Sequence, residues 1–144
     1  MATVTFKLDP IKTKALQKTL QGYIDKMPNE VGKILKQEGD TIMVSSKEGF
    51  VPKDDGILAN DGIVANPEFK GKGVRVRMGY GRVAKAYAVA VHEHPSAASP
   101  PSWAQGVNFN VGGPKYLEKP LRLAANGMGA RIAKKLRQFL IRNA

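Results

Sequence analysis

From Asp9 to Ser45 the apolar residues recur at helical spacing, and this run constrains the fold more than any other feature of the chain. Asp9-Pro10 is a start signal. The carboxylate can accept N–H groups of the first turn, and the proline's missing N–H is no loss there. Ile11, Leu16, Leu20, Ile24 and Met27 follow; Val31, Ile34 or Leu35, and Ile42 continue the stripe, with Glu38 as its polar exception. Pro28 interrupts it by removing a helical hydrogen bond and crowding the preceding turn. The spacing therefore predicts a kink, or a second helix starting near Pro28 and running to about Ser45. An amphipathic helix must bury its stripe against other elements.

The remaining 107 residues of the 144 supply candidates for that packing. Val4, Phe6 and Leu8 alternate with Thr3, Thr5 and Lys7, which predicts a half-buried strand. Ser46–Phe69 is rich in Gly, Asp, Asn and Pro, with turn dipeptides Asp55-Gly56 and Asp61-Gly62; it reads as a long loop holding a short strand at Ile63-Val64. Val74, Val76, Met78 and Tyr80 alternate with Arg75, Arg77 and Gly79, a strand with one basic face. After a turn at Gly79-Tyr80-Gly81, Val83–His94 reads as a second strand, with Tyr87, Val89 and Val91 on one face, and a hairpin is the economical pairing. Pro95–Pro101 is another loop with Trp103 close behind it, and Val107, Phe109 and Val111 mark a last strand. Leu117, Leu121, Met128, Ile132, Leu136 and Leu140 then define a terminal helix, in which Gly127 and Gly129 predict a bend. The expectation is one α+β domain over 1–144. A small antiparallel sheet is packed by a long or kinked N-terminal helix pair and a basic C-terminal helix, with long loops at about 46–72 and 95–105.

Charge is concentrated at one end. The net charge is +11, but residues 115–144 hold eight basic residues against one acid, a net of +7. Such a segment attracts nucleic acid or an acidic protein surface. Arg75, Arg77, Arg131, Lys134, Lys135, Arg137 and Arg142 are the candidate contacts to DNA or an acidic partner. Little aromatic interleaving accompanies them, so sequence-specific reading of bases is not expected. No run approaches the ~18 apolar residues of a membrane span. The N-terminal residues lack a signal-peptide pattern, so synthesis and assembly in the cytoplasm are expected.

Catalytic chemistry finds little footing. There is no cysteine, which excludes disulfides and thiolate metal sites. On a strand His92 and His94 would share a face, but they are the only two histidines, and two ligands fall short of a metal site. Ser45-Ser46-Lys47 lacks the spatial convergence of a nucleophile pair, and Gly71-Lys72-Gly73 lacks the spacing of a phosphate loop. No enzyme and no cofactor are expected.

Three stretches together resemble the tail-completion or head–tail joining family of long-tailed phages, also called minor capsid or neck proteins. VPKDDGILANDG at 51–62 is similar to that family's turn from helix into sheet. AYAVAVHEHP at 86–95 is similar to its tyrosine–alanine strand ending in glutamate, and KYLEKPLRLAANGMGARIAKKL at 115–136 to its aromatic-leucine-proline lead into a terminal helix. The second stretch departs from the pattern. His94-Pro95 and a Ser/Ala/Pro loop replace the family's aromatic or small residue, glycine and threonine. The resemblance implies a virion structural subunit in the neck. It forms a homo-oligomeric ring, a hexamer, between the portal-adaptor complex and the tail tube. Its partners are then other copies, a head-completion or adaptor protein, and a tail terminator or tube protein, with nonspecific contact to DNA in the lumen and none to membrane. The implied ring or neighbour contacts are Phe50, Pro52, Asp55, Leu58 and Phe69 near the first loop, and Glu93 and Trp103 near the second. Both loops, Ser46–Lys72 and Pro95–Gln105, are expected to order only on assembly. The competing expectations are a nonspecific DNA-binding protein using the basic helix, and a tail terminator.

Overall fold

The computed structural model describes residues 9–52, 56–71, 73–93 and 115–143. Helix α1 runs from Pro10 to Gly49 without interruption. Asp9 caps it, accepting from the N–H groups of Ile11 and Lys12 at 2.9 and 3.4 Å. The expected second helix at Pro28 does not form, because α1 continues through the proline. The cost of an interior proline, about 3 kcal/mol, falls on a helix held along its later turns by packing. All its buried residues lie from Gly32 onward: Gly32, Ile34, Glu38, Gly39, Ile42, Met43 and Ser46. It also outlasts the expected end at Ser45.

The long loop expected from Ser46 is instead largely built into the fold. Val51 is fully buried directly after α1, and a short helix α2, Ile57–Asn60, buries Leu58. Strands β1 (Ile63–Val64), β2 (Glu68–Lys70), β3 (Gly73–Arg75) and β4 (Met78–Gly79) follow. β1 pairs antiparallel with β4, Ile63 opposite Gly79; β2 pairs antiparallel with β3, Phe69 opposite Val74. These two ladders are successive halves of one ribbon that turns at Gly71. Their registers differ by one residue, as across a bulge, and Pro67, which has no N–H to give a ladder, sits at the break. The ribbon lies on α1 where glycines admit it. A Cβ on Gly32 would stand 2.9 Å from Pro67 Cβ, and one on Gly39 would stand 3.0 Å from Val64 Cγ1.

The expected strand Val83–His94 is a helix, α3, over Lys85–Glu93. The basic strand therefore finds its partner upstream, in 63–70, and not downstream. Ala84, Ala88 and Val91 are buried at i, i+4 and i+7, one helical face, against Val51, Leu58 and Tyr116. The terminal helix is divided as its glycines suggested: α4 spans Glu118–Ala125 and α5 spans Met128–Arg142. Gly127, at φ 75°, occupies the left-handed conformation that separates them. Both pack on α1, and α5 runs antiparallel to it, with Lys135 beside Glu38 and Arg142 toward Glu30. The fold is α+β, with two short antiparallel ladders beside a long N-terminal helix and a basic C-terminal helix pair. The strands expected at 3–8 and 107–111, and the loop 95–105, lie outside the described residues. Among the described residues no helix is long and apolar enough to cross a membrane.

Candidate functional site

Two buried polar groups fix the elements around which any surface must be arranged. Asp61 caps α3 from a distance. Its carboxylate accepts the N–H groups of Gly81, Arg82, Val83 and Ala84 at 3.0, 2.6, 2.9 and 3.0 Å. Burial works against its charge, yet these four donors prevail and hold the carboxyl below the ordinary aspartate value. Ser46 is fully buried on α1. Its hydroxyl donates to the carbonyl of Tyr116 at 2.6 Å, so its contact with the Tyr80 hydroxyl at 2.8 Å is one it accepts. Burial raises the Tyr80 phenol. The Tyr116 hydroxyl donates in turn to the carbonyl of Ala88 at 2.7 Å, tying α4's approach to α3. Ser46 is thus a structural hydroxyl with its hydrogen-bonding capacity engaged, which removes it from the reckoning as a nucleophile.

Of the two histidines, only His92 lies among the described residues. On α3, His92 lies edge-on to Tyr116, ring centroids 4.9 Å apart, and its Nδ1 is 2.8 Å from Glu93. Strand geometry no longer relates it to His94, which lies outside the described residues. Among the described residues no group of three His, Asp or Glu could hold a metal ion. Glu93 pairs instead with Lys115, whose N–H also donates to the carbonyl of His92 at 2.8 Å. The Lys115 hydrogen bond, then that of His92, hold Glu93 below the ordinary glutamate value; the same Glu93 contact raises Lys115. Lys115 has φ 60°, a conformation a non-glycine residue adopts only when its surroundings hold it there.

The basic candidates divide into engaged and free. Glu38, buried on α1, receives Arg131 Nε at 3.0 Å and Lys135 Nζ at 2.9 Å. Burial opposes its charge, but these two cations outweigh the penalty and lower it. Arg131 also donates to the carbonyls of Ala124 and Asn126 at the α4–α5 break, so it closes that turn. Arg77 pairs with Glu68 at 3.0 Å, and Arg142 approaches Glu30 at 3.9 Å. The side chains of Arg75, Lys134 and Arg137 make no ion pair or hydrogen bond among the described residues. Seven candidates therefore reduce to three unengaged cations, which do not form one patch on one element.

The candidate ring contacts also divide. Leu58 is 5% exposed in the core and Pro52 is buried, so neither offers a free surface, and Phe50 is partly buried against that core. Phe69 is 53% exposed beside Gly32, and Glu93 is exposed at the end of α3. Asp55 and Trp103 lie outside the described residues. The surface the sequence did not single out is the first half of α1. Leu16, Leu20 and Ile24 stand one turn apart at 58, 50 and 62% exposure, and no described residue before Gly32 is buried. The chain matches no family model, no curated protein and no solved structure. What the arrangement offers chemically is contact: an apolar helical stripe, three free cations and an engaged carboxylate network.

Proposed function

We propose that the chain is a structural subunit of a tailed-phage neck, a tail-completion or head–tail joining protein that works as a ring of identical copies. The observation that carries this reading is the first half of α1. Its stripe continues the one that α4, α5 and the β-ribbon cover after Gly32, yet it meets no partner among the described residues. Most helical stability in proteins comes from packing an apolar face. A stripe of Leu16, Leu20 and Ile24 left to solvent therefore suits a subunit completed by its neighbours. The resembling stretches at 51–62 and 115–136 supply the kind of assembly, while the one at 86–95 is helical here and not the strand that the resemblance implies.

The rival reading, nonspecific DNA binding by the C-terminal helix, is weakened because Arg131 and Lys135 are committed to Glu38. Electron microscopy of the purified chain and of antibody-labelled particles separates the two. Rings of the free protein, and label at the head–tail junction, are the expected results. Label over the capsid shell alone would overturn the reading. A monomer that binds duplex with affinity falling steeply in salt would favour the rival.

A further inference from the structure

A groove of about 700 Å³ opens between α1, α4 and α5, and the assembly reading makes no use of it. Pro120 and Leu123 of α4 line it together with Ile42 of α1; Lys134, Lys135 and Arg131 line it along α5. Leu123 is 64% exposed, although it stands at the edge of a concave surface and not on a free helix face. The carboxylate in the groove is that of Glu38, and it is already bonded to Arg131 and Lys135. Lys134 has no ion-pair partner among the described residues, so the groove keeps a net positive charge.

We propose that this groove binds an acidic segment of a partner protein, with an apolar side chain seated against Leu123 and Ala124 and a neighbouring carboxylate on Lys134. Charge sets the sign of the partner. Another copy of this chain is a poor occupant, since each copy carries +11 and concentrates it in this same segment. The apolar wall then selects among acidic partners. Duplex DNA presents its charge on phosphates and sugars, and such contacts would leave Leu123 wet. A peptide brings both an apolar anchor and a carboxylate, the combination of buried anchor and polar rim that carries protein interfaces. The proposal names a ligand chemistry and does not depend on the neck reading.

The full chain, immobilised and selected against a random-peptide library, tests it, with the enriched peptides synthesised and measured by calorimetry. Enriched peptides should combine Asp or Glu with Leu, Ile or Phe. Their affinity should fall roughly tenfold or more on Leu123→Ser and on Lys134→Glu. Arg75→Glu makes the same charge change away from the groove and should leave affinity nearly intact. All three side chains are exposed, so thermal melts matching the wild type will show that the variants fold. The proposal is overturned if no peptide is enriched, if the enriched peptides lack acidic residues, or if Leu123→Ser binds them as the wild type does. It is overturned equally if Arg75→Glu weakens binding as much as Lys134→Glu. Displacement of the peptides by random-sequence duplex, with duplex binding lost on Lys134→Glu but kept on Leu123→Ser, would assign the groove to nucleic acid instead.

Discussion

Asp61 satisfies four backbone donors with one carboxylate, and protonating it would set the start of α3 loose from the turn that follows α2. Its folded-state pKa lies below the ordinary 3.8. A depressed carboxyl stabilises the fold above its ordinary value, and that contribution is lost as pH falls through the folded value. Asp61→Asn should therefore melt at lower temperature than the wild type at neutral pH. Its melting temperature should also fall less steeply than the wild type's under acid, as followed by circular dichroism. Equal slopes would mean that Glu38 and Glu93 carry the acid sensitivity. Ser46 presents a neutral counterpart. Ser46→Ala removes a buried donor to the Tyr116 carbonyl and the acceptor of the half-buried Tyr80 hydroxyl. Leaving buried partners unsatisfied costs about 1–3 kcal/mol, which a urea titration reads as a lowered midpoint at unchanged slope.

At the scale of elements, α1 joins two different environments. Gly22 lies in the uncovered half, where an added Cβ meets nothing within 4 Å. Gly22→Ala should stabilise the chain by about 1 kcal/mol through helix propensity alone. Gly32→Ala gains the same propensity but drives a methyl to 2.9 Å from Pro67 Cβ, a ring atom that cannot swing away. That variant should be destabilised, and opposite shifts in the two urea midpoints would confirm the contrast. Elements also show what the sequence carried. The Asp9-Pro10 start, the α1 stripe to Ile42, the Ile63-Val64 strand and the break near Gly127 were legible because each signal is local. Helix α3 was not. Tyr87, Val89 and Val91 alternate as a strand would, while Ala84, Ala88 and Val91 fit a helix equally well, and short apolar runs carry both periods. The deciding cap is Asp61, more than twenty residues upstream, where no local scan looks for it. The engagement of Arg131 and Lys135 was hidden for the same reason: Glu38, noted only as an interruption of a stripe, is their partner nearly a hundred residues away.

For the whole molecule, the question is whether the exposed stripe of α1 is an accident of one copy or the surface that joins copies. Leu20 is half exposed and contributes little burial within the subunit. Leu20→Glu should therefore leave the free subunit's stability within about 0.5 kcal/mol of the wild type, as surface substitutions usually do. In a ring the same carboxylate would be buried against an apolar neighbour without a partner, a penalty large enough to prevent closure. Sedimentation velocity should then show rings for the wild type and subunits for Leu20→Glu at equal concentration. Val44→Ser is the matched control, because Val44 is likewise 51% exposed but lies on the half of α1 that α4, α5 and the ribbon already cover. It should assemble normally. Loss of rings in both variants would make the effect a general one of α1, and rings in both would remove the stripe from the interface. Rings retained by Val44→Ser alone would place the contact between copies on the first half of the helix, leaving the α1–α4–α5 groove free for a different partner.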